Sequence, residues 1–219
     1  MRRCVAAVVL LLAGCAYPAA HPPAPPGAAV TVHINPGNIR RLAGDLPQGY
    51  EVTVVSELTT PPTTWGLAAR SLAIPGRCAA LADPAGGHGQ SAQGISGSGA
   101  GGIVYAMVVA VPAGPVTLDQ SSLALCRQWN MTGGRATARI HLVDAPHVDA
   151  AETLGMASEI ITWVEGGNEI ASRATTFTAY LGDYYAFTTL ISDPGAPHPG
   201  LTPRFAADLL VKTVSALRS

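Results

Sequence analysis

Thiols are the most versatile reactive groups in this chain, and their spacing gives them separate fates. Cys15 closes the run Leu11-Leu12-Ala13-Gly14-Cys15, after Arg2, Arg3 and a nine-residue apolar stretch from Val5 to Ala13. A short basic start, an apolar segment too brief to span a bilayer and small residues before the cut point describe an export signal. A cysteine directly after Leu-Ala-Gly resembles the bacterial lipobox. There the thiol takes a diacylglyceryl group and becomes the new N-terminus. The alternatives are an uncleaved anchor, or an ordinary signal with a chance cysteine. Cys4 would leave with the leader, so Cys78 and Cys126 remain. In an oxidising compartment such a pair is expected to bond. Closing the intervening loop of roughly 50 residues stabilises by about 4 kcal/mol in the chain-entropy model. A reactive thiol would want a CxxC or a cationic neighbour, and Arg127 beside Cys126 is a single such residue.

His141, Asp144, His147 and Asp149 form H-x2-D-x2-H-x-D, the one cluster of metal-ligand types. A zinc site needs three or four of them to converge at about 2 Å, with a second shell to orient them. His141 ends a wet strand face and Pro146 turns the chain before His147, so solvated histidines are expected here and no metal. Gly97-Ser98-Gly99-Ala100-Gly101-Gly102 satisfies G-x-G-x-x-G. In a dinucleotide fold that motif follows a strand and opens a helix, whereas here it precedes a strand. A flexible Gly/Ser loop is the expectation, with no cofactor. Gly94-Ile95-Ser96-Gly97-Ser98 lacks the last glycine of a nucleophile elbow, and no histidine is marked as its base. We therefore expect no catalytic residues. Arg135, Arg139 and His141 share one strand face, which Arg173 joins if its strand pairs alongside. Such a cluster can hold a carboxylate or phosphate, or simply solvate the sheet. Tyr180, Tyr184, Tyr185 and Phe187 read as core and rim of that sheet.

The elements that must position these groups follow from composition and pattern. Hydrophobic residues make up 48% of the chain and charged ones 12%, with 24 Gly and 18 Pro, which suits a compact body rich in turns. Removing Arg2 and Arg3 with the leader takes the formal charge from −1 to −3, leaving no basic patch for nucleic acid. Residues 1–14 are expected to be the signal. Residues 15–29 carry the lipid and five prolines, a semi-rigid tether of about 40 Å at roughly 3.1 Å per residue. Residues 30–219 are expected to be one domain.

Within that domain Asn35-Pro36 predicts a helix over 36–44, and Tyr50 to Val55 reads as a strand. A helical turn is expected around Cys78 to Leu81. Ile103 to Val111 is apolar on both alternations, as in a strand covered on both faces. Asp119 caps a helix that places Leu123, Cys126 and Trp129 or Asn130 on one side. Residues 135–143 alternate as a half-wet strand. Strands near 158–164 and 169–181 flank the Gly166-Gly167 turn, and Tyr184 to Ser192 follows. Thr202-Pro203 opens a final helix. The class is α+β: a single curved, mostly antiparallel sheet with helices packed on it, the last at the C-terminus.

Four stretches carry a resemblance over nearly the whole mature chain: Ile34-Asn35-Pro36-Gly37, Pro75-Gly76-Arg77-Cys78-Ala79-Ala80-Leu81-Ala82-Asp83-Pro84, Cys126-Arg127-Gln128-Trp129 and Asp193-Pro194-Gly195. With them the chain resembles an uncharacterised family of mycobacterial lipoproteins carrying a domain of unknown function. More distantly it is similar to the extracytoplasmic sensor domain of a mycobacterial serine/threonine kinase. It departs from that domain in having one disulfide candidate instead of two. The resemblance implies surface display and ligand sensing, and brings no catalytic residues. The expectation is a non-enzymatic lipoprotein on the extracytoplasmic face of the cell membrane. Its lipid would hold the membrane and its domain an unidentified small ligand or envelope partner. A lipid or glycolipid carrier, with an apolar cavity over the small side chains Ala136 and Ala138, and an envelope hydrolase are the alternatives.

Overall fold

The β-branched and apolar runs of the sequence pair into a single open sheet of nine strands. A computed structural model describes residues 33–195 and 200–219. The signal, Cys15 and the proline-rich tether lie outside these residues. The described residues belong to one compact unit.

It begins with η1 (Pro36–Asp45), where a helix was expected over 36–44; the helix is of the 3-10 type. Asn35 caps it by accepting the Gly37 N–H at 3.1 Å, and Ile39 and Leu42 are its buried stripe. Strand β1 (Glu51–Val55) follows, then the short helix α1 (Pro61–Thr64) and the three-residue strand β2 (Leu72–Ile74). A 3-10 turn (Gly76–Cys78) runs into α2 (Ala79–Ala82). Strands β3 (Ser91–Gly99) and β4 (Gly102–Ala110) form a hairpin. Helix α3 (Gln120–Leu125) leads to β5 (Gln128–Gly133), β6 (Ala136–Val143), β7 (Glu152–Trp163), β8 (Glu169–Tyr180) and β9 (Tyr184–Ser192). The C-terminal helix α4 spans Pro203–Leu217.

The strand order is β1-β3-β4-β9-β8-β7-β6-β5-β2, and every ladder is antiparallel. β4 sits inside the sheet, and its alternation explains its unbroken hydrophobicity. Val104, Ala106 and Val108 join the core beneath α4 and η1, while Met107 and Val109 belong to a second core on the opposite face. Ala206, Leu209, Leu210, Val214 and Leu217 form the buried stripe of α4. The Thr188 hydroxyl donates to the Ala206 carbonyl at 2.8 Å, pinning the helix to β9. On the other face Trp65, Leu67 and Leu81 cover β5 to β7. There Cys78 and Cys126 form a disulfide with a Cα–Cα distance of 5.7 Å, and both residues are fully buried.

Three expectations need correction. The helix capped by Asp119 stops at Leu125. Cys126 is its C-cap, and Trp129 and Asn130 belong to β5, where Trp129 and Met131 alternate inward and Asn130 outward. Period 2 over six residues outweighs the helical spacing extrapolated from Leu123. The Gly/Ser segment is not a loop, because β3 runs through it to Gly99. A Cβ on Gly97 would lie 2.4 Å from Leu46 Cδ1, and one on Gly99 2.6 Å from the Tyr50 ring. The glycines admit those two side chains to the strand surface. β7 also begins at Glu152, well before the expected 158, since Gly155 and the small residues after it hide its alternation.

Candidate functional site

Cross-strand register places the predicted cationic residues. Arg139 on β6 lies opposite Glu159 on β7, and Glu159 lies opposite Arg173 on β8. Direct partners on adjacent antiparallel strands bring their Cβ atoms to about 5 Å, so one carboxylate stands between two guanidinium-bearing side chains. Asn130 and Ile74 extend the row outward across β5 and β2, and Ser192 continues it on β9. His141 occupies the same face one pair along, opposite Gln128 and Ala157. Arg139, His141, Glu159 and Arg173 are all exposed. α4 packs on β8, β9 and β4 of this side, and the charged row lies beyond its buried stripe. Arg135, in the turn before β6, is drawn toward Glu165 at 3.9 Å between two highly exposed side chains, a contact worth little in water. Arg139 and Arg173 take part in no ion pair among the described residues.

The histidine-aspartate cluster does not assemble. His141 stays on the strand face, whereas His147 and Asp149 meet each other in the β6–β7 connection at 3.2 Å, both exposed. Among the described residues no three His, Cys, Asp or Glu side chains converge as metal ligands do.

The opposite face of the sheet is closed by chain. Ala136 and Ala138 lie in one buried cluster with Trp65, Leu67, Trp129 and the disulfide, so the space beside these small residues is occupied. Trp65 donates its indole N–H to Thr176 Oγ1 at 3.1 Å, which meets Thr189 Oγ1 at 2.9 Å. Tyr185 is buried, stacks against Phe187 at 6.1 Å and donates to Asp83 at 3.5 Å. Burial, then the Asp83 charge, pushes its phenol far above the usual range. Tyr180 is raised likewise, by burial and then by Glu152. Neither is poised to exchange a proton near neutral pH. Beyond this packed region a cleft of about 540 Å³ opens between residues 58–71 and 79–88, with Met131 of β5 among its lining. Arg70, Ser71 and His88 also line it.

A family model for a domain of unknown function, DUF5642, matches residues 35–218. The chain belongs to the DUF5642 family. This agrees with the resemblance carried by the Asn35-Pro36 cap, the Cys78 and Cys126 segments and the Asp193-Pro194-Gly195 turn. No curated protein matches the chain. An X-ray structure of an uncharacterised Mycobacterium smegmatis protein, the Rv0999 ortholog, matches with a TM-score of 0.60 at 20% identity. The match covers 85% of this chain and 98% of that one, and the two share a fold. The crystal structure of the extracellular domain of PknH from Mycobacterium tuberculosis gives a TM-score of 0.43 at 13% identity, over 84% of this chain and 93% of that one.

In this DUF5642 domain two features escaped the sequence. Glu159 lies within the strand expected over 158–164, but only register sets it between Arg139 and Arg173. The cleft was missed because its walls come from irregular chain with no period to read. Its single local signal is Asp83-Pro84 followed by Gly86-Gly87, a turn built around one carboxylate. Asp83 accepts the N–H groups of Ala85 at 3.2 Å and Gly87 at 2.8 Å.

Proposed function

We propose that this DUF5642 protein is a non-catalytic, lipid-anchored module of the cell envelope, displayed on the extracytoplasmic face. On this reading it holds an anionic ligand or partner on the exposed face of β5 to β8. The observation that carries the ligand-binding part is the Arg139–Glu159–Arg173 row. Two arginines that form no ion pair among the described residues flank a single carboxylate on an exposed sheet surface, with His141 beside them. Guanidinium groups bind carboxylate and phosphate through paired, directional hydrogen bonds. With Glu159 paired to neither guanidinium among the described residues, the two arginines outweigh its charge and leave a net positive surface for an incoming anion. The anchor rests on Leu11-Leu12-Ala13-Gly14-Cys15. It is supported by the buried disulfide, a bond that persists in oxidising compartments.

The test is thermal. At about 100 times its Kd, a bound anion adds about 2.7 kcal/mol of stability, which raises the melting temperature by roughly 5–11 °C in a domain of this size. A panel of phosphorylated and carboxylated sugars and peptides should contain such a ligand. Arg139→Ala combined with Arg173→Ala should abolish the shift while leaving the unliganded melting temperature unchanged. A ligand-induced shift that survives both substitutions overturns the assignment of the face. Turnover of any generic ester, peptide or phosphate substrate overturns the non-catalytic reading.

A further inference from the structure

We infer that the cleft between residues 58–71 and 79–88 is a second binding site, for a small amphiphile with an apolar body and one phosphate or carboxylate. It lies on the sheet face opposite the arginine row, since Met131 pairs with Ala138 and shares its inward direction. It is therefore independent of the ligand face described above. A volume of about 540 Å³ falls in the range that holds one small molecule.

The lining specifies the chemistry. Pro62 and Met131 are buried apolar residues of the wall, and Leu58, 46% exposed, stands at its edge. Most of the polar groups are already committed. Thr63 Oγ1 donates to the Thr60 carbonyl and accepts the Thr60 N–H in the cap of α1. The Asp83 carboxylate is turned to the amides of Ala85 and Gly87 and to Tyr185. Among the groups that remain are three, the Arg70 guanidinium, the His88 imidazole and the Ser71 hydroxyl, none of which enters a side-chain hydrogen bond or ion pair among the described residues. All three can donate, and one is a permanent cation, so the free chemistry of the cleft matches an anion attached to an apolar body.

The walls are held in place before any ligand arrives. Gly86 and Gly87 take positive φ of 57° and 81° in the turn around Asp83, and the disulfide fixes Cys78 directly before α2. A preformed wall lowers the ordering cost of binding.

Phenyl phosphate is a suitable probe, with benzyl alcohol lacking the charge and inorganic phosphate lacking the apolar body. Hydrogen–deuterium exchange of the full chain should show saturable protection by phenyl phosphate in peptides covering 58–71 and 79–88. Benzyl alcohol and inorganic phosphate should each bind at least about tenfold more weakly. Arg70→Ala should weaken phenyl phosphate about tenfold, and Arg70 is exposed, so its loss should leave the melting temperature unchanged. Arg139→Ala should leave this affinity unchanged. The inference is overturned if protection falls on peptides covering 136–143 and 169–175 instead. Equal binding by inorganic phosphate, or an unaltered affinity in Arg70→Ala with native folding, overturns it as well. Protection of 136–143 and 169–175 would report binding at the arginine face, so failure of the cleft is distinguishable from failure of that face, whose own test is the combined loss of Arg139 and Arg173.

Discussion

Asp119 shows how much one side chain organises. Its carboxylate accepts from Ser121 N at 2.9 Å, Ser121 Oγ at 2.7 Å and Ser122 Oγ at 2.6 Å. The two serine hydroxyls, Ser122 first, hold its pKa down to about 2. An unfolded aspartate titrates near pH 3.9. A carboxyl with a depressed folded pKa contributes stability that is fully present above the unfolded value and is lost as pH falls through the folded one. In Asp119→Asn the fall in urea midpoint between about pH 4 and pH 2 should be shallower than in the parent. Identical slopes in that window would show that the cap is not formed in solution. The glycines of β3 make a second residue-scale prediction. A Cβ at Gly94 would lie 2.4 Å from the Ala106 carbonyl oxygen, a backbone atom, whereas at Gly99 it meets the half-buried Tyr50 ring at 2.6 Å. A ring can swing aside and a ladder carbonyl cannot. Gly94→Ala should therefore cost more than Gly99→Ala, the latter falling within the usual 1–3 kcal/mol of overpacking, about the scale that chemical denaturation resolves.

At the scale of elements, the layer from α1 to α2 has little regular structure of its own. Its helices have four residues each and β2 has three, too few to persist without tertiary support. The Cys78–Cys126 bond ties this layer to the end of α3. Cys126→Ser should cost about 2–5 kcal/mol, a fall in melting temperature of roughly 4–20 °C. It should also loosen the backbone around the exposed Arg70 and Arg77 and so speed cleavage there by trypsin. A digest that leaves these sites intact, or two free thiols in exported protein, would show that packing alone holds the layer. α4 makes the complementary case. Leu210 is completely buried between the helix and the sheet, and Leu210→Ala should cost about 2–5 kcal/mol through lost transfer energy and the cavity left behind. Calorimetry on the full chain measures both.

For the whole molecule, the open sheet leaves two edges and one partly covered face. The edges are short strands, five residues in β1 and three in β2, which limits their value as templates for pairing with another chain. Exposed apolar side chains gather on them nonetheless: Val52 and Val54 on β1, Leu72 and Ile74 on β2. Leu72 and Ile74 pair with Thr132 and Asn130 and so border the face that bears Arg139. Burial of this border is the expected response to a partner bound there. The proposed anchor acts at the same scale. Cys15→Ala should abolish fatty-acid labelling and move the protein from the membrane fraction to the soluble one. Unchanged labelling and fractionation would remove the anchor from the proposed function.

The α+β class, the antiparallel sheet, the C-terminal helix and the cysteine pair were legible in the residues. Period-2 alternation in 136–142, the two-sided apolar run of β4 and the Thr202-Pro203 start are local patterns with local causes. The start of β7, the strand character of Ser91 to Gly99 and the end of α3 were not. Glycine erases the alternation that marks a strand, and in β3 it is required by Leu46 and Tyr50, which approach from distant chain. The site divides the same way. Side-chain type and alternation put Arg139 and His141 on one wet face, because a strand cannot do otherwise. Register alone set Glu159 between Arg139 and Arg173, since pairing is fixed by the whole sheet's burial and not by any one strand. The cleft is wholly tertiary: Leu58, Arg70, Asp83, His88 and Met131 become neighbours because a disulfide and a buried tryptophan hold irregular chain against the sheet.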